Sequence, residues 1–190
     1  MSQSPVDDFS EAALVSYQQG WQALNRLLHE DRSFSGHERH SAYLNCGSGA
    51  FANVSAVTGL DFAEDGRAIG LVDWNFDGLI DMWITNRTAP RLRFLLNQTE
   101  TSNRFIALYL EGNGTTTNRD AIGARVEALD FEQPLIKTKY AGEGFLSQSS
   151  GWMHIGLGRR DDPVRVEVKW PNGRPEVFEG LEPDAFYVLR

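Results

Sequence analysis

Val164-Arg165-Val166-Glu167-Val168-Lys169-Trp170-Pro171-Asn172-Gly173 carries, from Val164 to Trp170, an apolar side chain at every second position and a charge between each pair. A strand turns successive side chains to opposite faces, so this spacing predicts one buried face and one wet face. Pro171-Asn172-Gly173 predicts a tight turn: proline presets φ, and Asn-Gly accepts the bends that follow. Upstream and downstream the texture repeats. Short runs rich in Val, Ile, Thr and aromatics alternate with Gly, Asn and Asp clusters from Ser33 onward. The predicted strands are 41–45, 51–53, 68–73, 81–86, 92–97, 105–111, 124–129, 135–140, 152–156, 164–170, 175–178 and 186–189. Many short strands with frequent turn signals predict a mostly β architecture.

Only the N-terminal part reads differently. Residues 1–8 form a polar tail, and Asp8 followed by Glu11 has the pattern of a capping box. Leu14, Tyr17, Trp21, Leu24 and Leu28 then recur at spacings of three and four, the signature of an amphipathic helix packed on a sheet. A polar stretch at 99–103 separates two strand-rich halves. The expected organisation is therefore a tail and helix at 1–34, a β unit at 35–98 and a second β domain at 99–190.

The chemistry concentrates in Asp73-Trp74-Asn75-Phe76-Asp77-Gly78-Leu79-Ile80-Asp81, which reads D-x-N-x-D-G-x-x-D. Side-chain oxygens at positions 1, 3 and 5 can share one concavity, glycine at 6 permits the sharp turn, and a carbonyl at 7 adds a ligand. Asp73, Asn75, Asp77, Leu79 and Asp81 form an oxygen-only set with three carboxylates, which suits Ca²⁺. An EF-hand is excluded, because its position 12 needs a bidentate Glu and this chain has Ile84 there. Strand-like segments, not helices, flank the loop.

These residues resemble a known family. D-x-N-x-D-G-x-x-D between strands is similar to the calcium loop of FG-GAP/VCBS repeats, the blades of integrin-type β-propellers. Further on stand Asn118-Arg119-Asp120-Ala121-Ile122-Gly123-Ala124-Arg125-Val126, Gly144-Phe145-Leu146-Ser147-Gln148-Ser149-Ser150, His154-Ile155-Gly156-Leu157-Gly158 and the segment from Val166 to Gly173. In that order they resemble the ASPIC/UnbV domain found beside such repeats in cartilage acidic protein and its bacterial relatives. The resemblance covers about 35–190. It implies one propeller-blade-like unit with a calcium loop, then a β-sandwich or barrel. It also implies a calcium-binding, mostly extracellular or periplasmic protein with an interaction role, its ligand a protein or carbohydrate. It transfers no catalytic residues. Asn75 departs from the repeat by removing one negative charge. A propeller needs several blades, and this sequence holds one clear loop; Asp61-Phe62-Ala63-Glu64-Asp65-Gly66 is too irregular for a second.

Composition sets outer bounds. The chain has 190 residues, 18 Lys+Arg against 26 Asp+Glu, and a net charge of −8, which argues against a phosphate-backbone binder. One cysteine, Cys46, excludes a disulfide framework and a cysteine-rich zinc site. No apolar run reaches membrane-spanning length. The first 17 residues lack the basic and apolar regions of a signal peptide, so the reading is a cytoplasmic protein or a piece of a longer one.

No catalytic constellation stands out. Ser147, Ser149 and Ser150 read as hydroxyls bonding nearby backbone, and His37 and His40 as surface residues. His154 reads as a hydrogen-bonded core histidine, and Trp152, Trp170, Phe145 and Tyr140 as core aromatics rather than a sugar platform. Arg119 and Asp120 read as a bracing pair. The N-x-S/T patterns at Asn53, Asn86 and Asn97 match glycosylation acceptors. The leading expectation is a calcium-stabilised, non-catalytic binding or scaffold module. The alternative, an accessory enzyme or processing factor in a bacterial biosynthetic pathway, would need Arg119, Asp120, Ser147 and His154 around one pocket.

Overall fold

The computed structural model describes residues 10–30 and 38–190. The chain divides into two compact units after Asp65. Asp8 and His37 lie outside the described residues.

In the first unit, α1 (Glu11–His29) is capped by Ser10, whose Oγ accepts the Ala13 N–H at 3.3 Å. A serine there satisfies one of the donors that a helix start leaves unpaired. Glu11 in the first turn and Arg26 and His29 in the last complement the helix dipole. The apolar stripe is present, yet Leu14, Tyr17 and Trp21 are about half exposed or more, which corrects the expectation of a stripe packed on a sheet. β1 (Tyr43–Asn45) and β2 (Phe51–Asn53) form an antiparallel hairpin. A four-residue helix, α2 (Ser55–Thr58), follows it. Arg39 donates from Nη2 to the Asp61 carbonyl at 2.9 Å and from Nε to the Asp61 carboxylate at 2.5 Å, and the second bond holds that carboxylate below the usual range.

In the second unit, β3 (Gly66–Val72), β4 (Asp81–Asn86) and β5 (Leu92–Leu95) make a three-stranded antiparallel sheet. Seven strands follow: β6 (Arg104–Leu110), β7 (Arg125–Ala128), β8 (Leu135–Thr138), β9 (Met153–Gly158), β10 (Val164–Lys169), β11 (Pro175–Leu181) and β12 (Ala185–Leu189). They form a four-stranded sheet in the order β11-β10-β7-β8 and a three-stranded sheet in the order β12-β6-β9. β12 runs parallel to β6; the other pairings are antiparallel.

The alternating stretch is β10. Val164, Val166 and Val168 are fully buried, while Arg165 and Lys169 are exposed. The valines meet Ile106, Leu108 and Leu110 of β6 and Ile155 and Leu157 of β9 in one core. The two sheets therefore make a β-sandwich. Trp170 packs on this core and donates Nε1–H to Glu176 at 3.1 Å. Tyr140 and Phe145 are exposed, so the expectation of two further core aromatics is corrected. Among the described residues, no helix is long and apolar enough to cross a membrane.

Candidate metal loop and its seat

The loop at 73–81 joins β3 to β4 and is tied together from inside. Asp73 Oδ1 accepts the Asp77 N–H at 3.1 Å and Asp73 Oδ2 accepts the Gly78 N–H at 2.8 Å, so the chain wraps around the first carboxylate. Asp77 Oδ1 accepts from Leu79 N at 2.8 Å, and Asn75 Nδ2 donates to Asp77 Oδ2 at 2.8 Å. Asp81 is fully buried; its two oxygens accept from Trp74 N at 2.9 Å and Asn97 N at 2.7 Å. Such charge-assisted bonds from backbone N–H groups are what make a buried carboxylate tolerable.

The loop also sits on the sandwich. His154 Nε2 of β9 lies 3.2 Å from Asp73 Oδ2, with both side chains almost wholly buried. A carboxylate can only accept, so Nε2 carries the hydrogen. The His154 ring stacks on Phe105 at 5.8 Å and meets Phe186 edge-on at 5.8 Å. Phe76, at the loop's apex, meets Phe186 at 5.3 Å. Gly78 has φ +87°, and a Cβ there would come within 2.0 Å of the Phe105 ring. On the β3 side, Leu71 N donates to Ser149 Oγ at 3.2 Å and Ser150 N donates to the Leu71 carbonyl at 2.7 Å. These contacts join the two sides of residue 98, where the sequence reading draws a boundary.

The motifs of the second half meet as well. Asn118 braces its turn by accepting from Ile122 N at 2.8 Å and donating to the Ile122 carbonyl at 2.9 Å. Thr117 Oγ1 donates to the Pro171 carbonyl at 2.9 Å, and Gly123 packs against Pro171. The 118–126 segment thus rests on the turn that ends β10. Residues 114–190 match the family model described as ASPIC and UnbV. No curated protein matches the chain. The ASPIC/UnbV match spans β7 to β12 and leaves out β6, the central strand of the three-stranded sheet. The matched segment therefore needs upstream residues to complete its sandwich.

The sequence-predicted metal residues are adjacent in one loop, with their oxygens turned largely toward backbone N–H groups. Among the described residues, no three His, Cys, Asp or Glu side chains are grouped to hold a metal. Of the four residues the enzymatic reading gathers, His154 lines a cavity of about 130 Å³ between β3, β8 and β9, and Arg119, Asp120 and Ser147 do not line it. Among the described residues Arg119 and Asp120 form no ion pair; Asn118 does the bracing instead.

Asn53 Oδ1 accepts from Ser55 N and Oγ, and Asn97 Oδ1 from Thr99 N and Oγ1. Those two N-x-S/T patterns are Asx turns. Lys139, which no motif singled out, lies in the same cavity wall and donates to the Gly151 carbonyl. Its rarity was the available signal: the chain has three lysines, Lys137, Lys139 and Lys169, and two of them face this cavity.

Proposed function

We propose that the 73–81 loop binds one Ca²⁺ as a structural clamp, and that the protein is a non-catalytic binding or scaffold module within a larger β-propeller protein. The observation that carries this reading is the coiling of the chain around Asp73, which accepts the N–H groups of the fifth and sixth loop positions. The donor chemistry fits a hard cation: three carboxylates, one amide and one carbonyl, all oxygen. Each carboxylate oxygen can take two partners, so Asp73 Oδ1, Asp77 Oδ2 and both Asp81 oxygens have capacity beyond the bond each accepts. Asp73, Asn75, Asp77, Asp81 and the Leu79 carbonyl would hold the ion. Bound there, Ca²⁺ would offset carboxylate repulsion and tie the ends of β3 and β4 together.

The membership of a larger propeller rests on the sheet β3-β4-β5. Ile69 is exposed on one of its faces, and Leu92 on the other, where exposed Trp74 covers Trp83 and Phe94. A blade buries such faces only against neighbouring blades.

Thermal melting with EDTA and with added Ca²⁺ tests the clamp. A ligand that binds only the folded state adds about 2.7 kcal/mol at a hundredfold excess over Kd. Ca²⁺ should raise Tm in the intact chain and leave Asp77→Ala unmoved. An unchanged Tm in the intact chain rejects the metal.

A further inference from the structure

The cavity between β3, β8 and β9 has walls of two kinds. Leu71, Ile80 and Met153 supply apolar surface, while Lys139, Ser149 and Ser150 supply polar groups. Those three have hydrogens to give, whereas Glu143, also in the wall, can only accept. Ser149 Oγ accepts from Leu71 N, and Ser150 Oγ accepts from Trp152 N at 3.3 Å. Among the described residues neither hydroxyl hydrogen has a protein acceptor. The Lys139 ammonium has three donors; one goes to the Gly151 carbonyl and the Tyr109 ring lies 5.3 Å away. Among the described residues no carboxylate lies within ion-pair distance of it.

Burial lowers the Lys139 pKa, and the more distant charges of Asp120 and Glu143 only partly oppose this. The amine has lost water without gaining a counter-ion. Lys137 adds a second ammonium to the wall, against the one carboxylate of exposed Glu143. The wall thus carries two ammonium groups and one carboxylate, with Asp120 acting on Lys139 from farther off, and in a chain of net charge −8 it is a donor-rich recess.

We propose that this cavity binds a short-chain carboxylate, its charge on Lys139 and the Ser149 and Ser150 hydroxyls, its tail against Leu71, Ile80 and Met153. The size sets the class: a cavity of about 130 Å³ is below the usual pocket range of about 300–1,000 Å³ and near that of an engineered cavity of about 150 Å³ that holds benzene. Butyrate fits that volume; a nucleotide or an oligosaccharide does not.

The test is ligand-observed NMR titration of the full chain with butyrate, and with butyramide, which has the same shape and no charge. Butyrate should bind saturably and butyramide at least tenfold more weakly, the discrimination expected of a charge-assisted contact. Lys139→Met should weaken butyrate at least tenfold, and Lys169→Met should leave it unchanged. Equal binding of the two ligands, no saturable binding of butyrate, or full binding by a folded Lys139→Met variant each overturns the proposal. Inorganic phosphate competing as well as butyrate overturns the role of the apolar wall. The comparison of ligands on the unaltered chain stands even where a variant fails to fold.

Discussion

Gly78→Ala isolates the seating of the loop on the sandwich. Two costs add. At φ +87° an alanine pays the left-handed penalty of an L-residue, roughly 1–2 kcal/mol. Its Cβ would also stand 2.0 Å from Phe105 Cε1, far inside contact distance. Phe105 cannot retreat freely, because it is stacked on His154 and packed at 5.5 Å against Phe186. Overpacking of that kind costs about 1–3 kcal/mol, so the sum is about 2–5 kcal/mol. Urea unfolding followed by tryptophan fluorescence reads it, since four of the five tryptophans (Trp74, Trp83, Trp152 and Trp170) lie in the unit that begins at Gly66. At an m-value of about 2 kcal/mol/M the midpoint should fall by on the order of 1–2.5 M. Repeating the substitution in a Phe105→Leu background should recover the packing part and leave the backbone part. A loss below about 1 kcal/mol in the intact chain, or an undiminished loss in the Phe105→Leu background, refutes the close approach of Gly78 to that ring.

Asp81→Asn should destabilise by about 2–4 kcal/mol, because it removes the charge from two buried bonds and turns an amide NH₂ toward a backbone N–H; chemical denaturation in EDTA checks it free of any metal effect. The Asp130 carboxyl is held low by the Arg165 side-chain hydrogen bonds and its backbone N–H. Its contribution is present above the ordinary aspartate value of about 3.9 and is lost as pH falls through the lower folded value. Carboxyl NMR should place its midpoint below that ordinary value, and Arg165→Ala should move it upward; an unmoved midpoint would dismiss the pairing.

The strands were legible because period and punctuation agreed. β4 (Asp81–Asn86) and β2 (Phe51–Asn53) stand at the predicted bounds, and β10 is shorter by one residue. The four-residue α2 was not legible, since a single turn leaves no period to read. The helix start was read at Asp8, from its spacing to Glu11, and Ser10 holds the Ala13 N–H. The loop ligands were visible as a local spacing. Their seat was not, because His154 comes to Asp73, and Ser149 to Leu71, across some eighty residues with no shared local signal. The hydroxyl of Ser149 accordingly bonds a distant strand rather than its own turn.

The parallel pairing of β12 with β6 bears on how the chain comes to be folded during synthesis. β6 is the middle strand of its sheet, and both its neighbours emerge after it. When β9 is complete, one flank of β6 still presents free backbone donors and acceptors over an apolar strand. That is the kind of open edge that invites pairing with another nascent chain. It closes only when residues 185–189 arrive, so the final strand acts as a seal whose delay sets how long the protein is vulnerable to self-association.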